Sequence, residues 1–215
     1  MTASAISMRR GEGADRGPPL MIGFVFDWAN VATLSGLLIS CAALVFAIRG
    51  GFHTALALAL TAVLVDHVDG SLARRIGKRS QAMHAFGAHL DCYADFVSKG
   101  VFPSLLLAVS TNFATVYLAV AALHICAIAV RYSYAFVPDC PPAGLSPDYS
   151  IVLFAVFWLG CSALNVFSAP LLAVLMLIMA ALNVSPLRVP KLVGPRRISF
   201  FSLIFSLIGA RLWTS

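Results

Sequence analysis

The chain has 215 residues, of which 60% are hydrophobic and only 11% charged, with a mean hydropathy of +0.90. Soluble domains carry about a quarter charged residues, so this composition leaves too little polar surface to cover a water-soluble globule and predicts a protein that lives in a lipid bilayer. The net charge of +6 arises from short Lys and Arg clusters between apolar runs, with no basic face or stripe, which argues against a nucleic-acid partner. Five cysteines without a CxxC pair imply neither a disulfide framework nor a zinc site.

Residues 1–29 read as a cytoplasmic tail and an interfacial segment: Arg9, Arg10 and Arg16 precede Gly17 and Pro19, and Phe24, Phe26 and Trp28 lead into the first apolar run. No small-residue cleavage site follows that run, so no signal peptide is expected. A spanning helix needs about 20 mostly apolar residues. Such runs lie near 30–48, 54–73, 85–108, 111–131, 149–165 and 169–185, with a shorter one at 198–213. The expected fold is all-α integral membrane, a six-helix transmembrane core plus one C-terminal hydrophobic segment, with residues 30–215 forming one domain.

Placing the N-terminus in the cytoplasm puts there Arg9, Arg10, Arg16, Arg74, Arg75, Lys78, Arg79, Arg131, Arg188, Lys191, Arg196 and Arg197. Of the 15 basic residues this leaves Arg49 and Arg211 outside and Lys99 within a span, the asymmetry expected from the positive-inside bias.

Four of the nine acids, Asp66, Asp69, Asp91 and Asp95, fall at the facing ends of the second and third spans. At about 100° per residue, Asp66, Asp69, Gly70, Ala73 and Arg74 share one face of the second helix. On the third, Gly87, Asp91, Asp95 and Lys99 recur every four residues as a single stripe. Carboxylates are costly inside a membrane, and four close together need a cation, for which a divalent oxygen-loving ion is the natural choice. Small residues at Gly70, Ala73 and Gly87 leave room for a phosphate or nucleotide to approach the backbone.

The pattern Asp66-x-x-Asp69-Gly70-x-x-Ala73-Arg74 followed by Gly87-x-x-x-Asp91-x-x-x-Asp95 resembles the signature of the CDP-alcohol phosphatidyltransferases, with every signature residue present. The resemblance covers the first three spans, including Asn30-x-x-Thr33, and thins out beyond them. The connection between Arg74 and Gly87 is longer than the family's usual one. The resemblance implies a membrane enzyme, as a homodimer in a bacterial inner membrane, that transfers the phosphatidyl group of CDP-diacylglycerol to a small alcohol and releases CMP. It implies a cytoplasm-facing two-metal site for Mg²⁺ or Mn²⁺, with Asp66, Asp69, Asp91 and Asp95 as metal ligands and Asp95 as the base. Asn30, Thr33, Gly70, Ala73, Arg74 and Gly87 would bind nucleotide and phosphate.

The stretch from Leu90 to Pro103 is similar to the phosphatidylserine synthase branch, which points to L-serine as acceptor. The run from Asp148 to Phe154 is similar to bacterial phosphatidylcholine synthases and keeps choline as the alternative. Lys99 and Arg131 are the candidates to hold a serine carboxylate or a phosphate. The plainer readings are that Lys99 pairs with Asp95 one turn away and that Arg131 anchors the interface. Tyr93, Phe96, Tyr132 and Tyr134 are candidates for an aromatic cage around a quaternary ammonium. A divalent cation transporter is the non-enzymatic alternative, against which stand acids at one helix end rather than in repeated halves.

Overall fold

A computed structural model of the protein describes residues 21–75, 80–141 and 143–187, with Ile204 and Leu207, and for residues 68–75 the backbone alone. The described residues are helical and contain no strand ladder. A short interfacial helix α1 (Met21–Val25) precedes α2 (Trp28–Ile48) and α3 (Phe52–Arg75). Next, α4 (Gln81–Asp95), a π-helical turn (Phe96–Val101) and α5 (Phe102–Ser110) form one 30-residue rod. The remaining helices are α6 (Thr115–Tyr134), α7 (Pro147–Ala163) and α8 (Ala169–Asn183). The α2 helix, the α4–α5 rod and α6 are long and apolar enough to cross a bilayer, whereas α3, α7 and α8 carry shorter apolar stretches. This is the all-α membrane architecture that composition predicts. Of the seventh run only Ile204 and Leu207 are described, and Arg9, Arg10, Arg16, Lys78, Arg79, Arg188, Lys191, Arg196, Arg197 and Arg211 lie outside the described residues.

Outward-facing side chains are apolar: Leu38 and Val45 on α2, Leu123 and Val130 on α6, and Val174 and Ile178 on α8 are all exposed. In water that arrangement would be an aggregation hazard; in hydrocarbon it is the ordinary lipid-facing surface. Helices in lipid gain little from the hydrophobic effect on meeting each other, so contact depends on close packing of small residues. The inner face of α2 consists of Ala29, Asn30, Thr33, Gly36, Ser40, Ala43 and Ala47, and it packs on α3. A Cβ on Gly36 would already touch the Ala62 carbonyl and the Val65 side chain at 3.6 Å. Thr33 and Ser40 donate to the carbonyls of Ala29 and Gly36 at 3.0 Å, satisfying their hydroxyls within their own helix.

The apolar core gathers at one end of the bundle, where Ala43, Ala47, Leu56, Phe102, Leu106, Phe154, Trp158, Leu172 and Met176 are buried together. Alternating helix directions bring the start of α4, the ends of α3, α6 and α8 and the start of α7 to the opposite end. Two local features set the geometry there. Pro103 has no N–H to give and its ring would collide with a carbonyl one turn back, and the chain widens into a π turn just before it, with the Phe102 N–H bonded to the Val97 carbonyl. In the connection before α7, Gly144 adopts φ +80 and donates to the Leu187 carbonyl at 2.7 Å, while the Leu145 N–H meets the Leu182 carbonyl at 2.9 Å. Any Cβ at Gly144 would stand 2.1 Å from the Asn183 carbonyl oxygen, so only glycine lets the connection clip onto α8.

Candidate active site

The stripe on α4, which packs on α2, meets α3 where Asp95 and Lys99 reach Asp66. Asp66 from α3, Asp95 from the end of α4 and Asp148 from the first turn of α7 offer carboxylate oxygens that all lie within 4.8 Å of one another. Between them sits the Lys99 ammonium, carried inward by the π turn and only 1% exposed. Its Nζ donates to Asp66 Oδ2 at 3.0 Å and lies 2.5 Å from Asp95 Oδ1 and 2.6 Å from Asp148 Oδ1. The expected i, i+4 pairing of Lys99 with Asp95 is thus present, within a wider three-acid cluster.

Asp91, one turn before Asp95, lines the same cavity as Asp95 and Asp148. The second oxygen of Asp95 accepts a 3.0 Å bond from the Tyr132 hydroxyl on α6, and Ser146 donates to Asp148 Oδ2 at 3.0 Å. Asp95 and Asp148 are each therefore held by a partner on another turn or helix, which fixes their direction toward the centre.

Asp91, Asp95, Tyr132, Asp148 and Arg131 open onto a cavity of about 210 Å³, also lined by Ala88, Cys92, Ala135, Phe136, Ser146 and Pro147. Arg131 is 8% exposed, and its Nε has no hydrogen-bond partner. Among the described residues the ion pairs at this end are made by Lys99 and His67, so the guanidinium stands on the cavity wall without an acid of its own. A guanidinium with N–H groups aimed at a cavity is suited to an anionic ligand group, which can accept from several of them at once.

Other sequence-expected residues fall at varied distances from this centre. Thr33 lines a small recess with Asp66, Asp95, Gly36 and Ser98, directly beneath the acids. Asn30 is buried and donates to the Phe24 carbonyl at 2.7 Å, with Met83 Sδ at 3.8 Å, joining α1, α2 and α4. Gly87 lies on α4 one turn before Asp91. Of Asp69, Gly70, Ala73 and Arg74 only the backbone is described, as part of α3. Tyr93 is exposed away from the site, whereas Tyr132 borders it. His84 and His89 are exposed on α4, and His89 stacks on Phe136 at 4.6 Å. His124 is buried behind the site and bonds Ser104 at 3.1 Å.

Asp148 is the residue that sequence reasoning passed over. It ends a Pro-rich connection and looks like a first-turn acid favoured by the helix dipole. The available signal was Lys99: a lysine inside a span needs buried acids, and Asp148 opens the next apolar run on the same side of the membrane.

Three described carboxylates, Asp66, Asp95 and Asp148, surround one ammonium, so the cluster keeps a surplus of negative charge. An all-oxygen donor set with excess charge suits a hard divalent ion such as Mg²⁺ or Mn²⁺ better than a softer metal. The residues present therefore fit the metal that the signature implies.

An all-helical membrane bundle with a carboxylate-lined cavity at one end of its rods is the class of protein that fold and site define together. The chain belongs to the CDP-alcohol phosphatidyltransferase family, whose sequence model matches residues 26–184. It is also similar to the archaetidylserine synthase of Methanothermobacter thermautotrophicus, with 38% identity over 64 residues. That match spans 30% of this chain and 27% of the relative, so the chain covers about a quarter of the length of the curated relative it matches.

Proposed function

We propose that the protein transfers the phosphatidyl group of CDP-diacylglycerol to L-serine and releases CMP, at a site facing the cytoplasm. The observation that carries this reading is the presence, on one cavity, of the acid cluster and of the Arg131 guanidinium, which forms no ion pair among the described residues. An acceptor bearing a hydroxyl near one end and a carboxylate at the other would span Asp95 and Arg131, and a cavity of about 210 Å³ has room for one. The similarity to archaetidylserine synthase supports the same acceptor.

A divalent ion, when bound by Asp66, Asp69, Asp91 and Asp95, supplies positive charge to the pyrophosphate oxygens. The chain's own residues do the rest. Tyr132 fixes Asp95 through its Oδ2, aiming the carboxylate at the cavity. Asp95 then takes the acceptor's hydroxyl proton as that oxygen attacks the phosphorus bearing diacylglycerol; the bond from this phosphorus to the bridging oxygen breaks, and CMP departs. Arg131 holds the acceptor's carboxylate in a bidentate grip. Arg74, Gly70, Ala73, Asn30 and Thr33 are assigned to the nucleotide and its phosphates. Lys99 is less suited to the acceptor, because it sits among the acids of the cluster and does not line the cavity.

Choline is the second reading, favoured by Tyr132 and Phe136 on the cavity wall beside Asp148. Arg131 opposes it, since a quaternary ammonium would meet a guanidinium of the same sign on the cavity wall. Purified protein supplied with CDP-diacylglycerol and Mn²⁺ should release CMP with L-serine, not with choline, and stop in excess EDTA. Turnover with choline alone would reverse the acceptor, and turnover in EDTA would remove the metal from the mechanism.

A further inference from the structure

Lys99 raises a problem that its ion pairs do not answer. Its ammonium lies at the meeting point of Asp66, Asp95 and Asp148, within 3.0 Å of an oxygen of each. Oxygens held within 4.8 Å of one another surround a single cation. A divalent ion needs the same oxygens at about 2.0 to 2.6 Å, so it cannot share that point with an ammonium. Two of the three carboxylates, Asp66 and Asp95, belong to the signature on α3 and α4, whereas Asp148 comes from α7 and lies outside it.

We propose that the Lys99 ammonium is a resident cation of this site, which a divalent ion must displace from Asp66 and Asp95, and that Asp148 is the carboxylate that retains it. The inference rests on the reading that Asp66 and Asp95 hold a metal. Three features of the chain support the exchange. Lysine is a compact charge on a flexible four-carbon stem, able to let go of two partners while keeping a third. It is carried on a π turn, where the regular i→i−4 ladder is interrupted. Asp148 is oriented for the task, since Ser146 donates to its Oδ2 at 3.0 Å while its Oδ1 meets the ammonium at 2.6 Å. Without Asp148, Lys99 would have only the two signature acids and would compete harder for them. In this arrangement Asp148 is a positioning residue, acting on the metal through Lys99.

The test is a double-mutant cycle read by direct Mn²⁺ binding, using the spin resonance of free Mn²⁺ over the protein in detergent, with no substrate. Lys99→Met should tighten Mn²⁺ by about tenfold or more, the scale of one charged hydrogen bond. Asp148→Asn should weaken Mn²⁺ by about as much in the Lys99 protein and by less than about threefold in the Lys99→Met background. An equal weakening in both backgrounds would make Asp148 a metal ligand and overturn its retaining role. Unchanged affinity in Lys99→Met would overturn the competition itself, and absence of Mn²⁺ binding in every variant would instead sink the metal reading on which it rests. Should Lys99→Met fail to fold, Lys99→Ala purified with methylammonium keeps the test alive: added methylammonium should drive Mn²⁺ off Lys99→Ala but not off the unmodified protein. Indifference of both to methylammonium would count against the proposal.

Discussion

Tyr132 shows how much a single hydroxyl decides at this site. It reaches from α6 to the outer oxygen of Asp95, while Lys99 holds the inner one, so the carboxylate has little rotational freedom left. Tyr132→Phe removes a bond to a charged group, worth about 1.5 to 3 kcal/mol, without opening a cavity. Steady-state kinetics should therefore show kcat falling by about tenfold or more, with the KM for serine little changed; a fall confined to KM would place Tyr132 on the acceptor rather than on Asp95. Arg131→Gln should do the reverse and raise the KM for serine by about tenfold or more, because only the acceptor's anionic end loses its partner. An unchanged KM in that variant would return Arg131 to the role of interfacial anchor. At this scale the sequence was informative about the residues whose chemistry is unusual where they stand. Aspartate on an apolar helix has few explanations, so Asp66, Asp91 and Asp95 are visible from spacing alone. Asp148 follows a proline-rich connection where an acid is unremarkable, and only the fold brings it to Lys99.

At the scale of the elements, the apolar runs mark the helices because each rod must close its own backbone hydrogen bonds in lipid. Hydropathy registers neither the π turn, which is a change in hydrogen bonding rather than in polarity, nor the clip at Gly144, which depends on a carbonyl supplied by α8. The clip has a measurable role. Gly144→Ala meets both a positive φ and an Asn183 oxygen 2.1 Å from the new carbon, so the connection must pull away from α8. The left-handed backbone alone costs about 1 kcal/mol or more. The variant should melt at lower temperature in detergent and should lose activity, since α7 begins three residues later and carries Asp148 in its first turn. Retention of both the melting temperature and the turnover would show that the connection does not depend on the clip. A second tie, from Ser150 to Asn183 at 3.2 Å, holds the same two helices together deeper in the bundle.

For the molecule as a whole, the proposed orientation is open to chemistry from outside the membrane. Cys140 is exposed in the connection between α6 and α7, at the same end as the cavity. A protein whose other four cysteines are replaced by serine or alanine should react with a membrane-impermeant maleimide in inverted vesicles and stay unlabelled in right-side-out ones. Labelling only from the outside would turn the site to the opposite face. The two halves of the bundle also answer to different demands: one end packs an apolar core, the other gathers charge. The 30-residue rod joins both, and its π turn lies at the joint. An i→i+5 turn holds one residue more than an α-helical turn, which makes it an insertion absorbed without breaking the helix. Remove that residue, and everything on the far side rotates by about 100° against the near side. Asp91 and Asp95 would still face Asp66, but Phe102 and Leu106 would swing out of the core. The extra residue thus works as a phase adjuster, allowing the acid-bearing and core-packing halves of one helix to have been set independently.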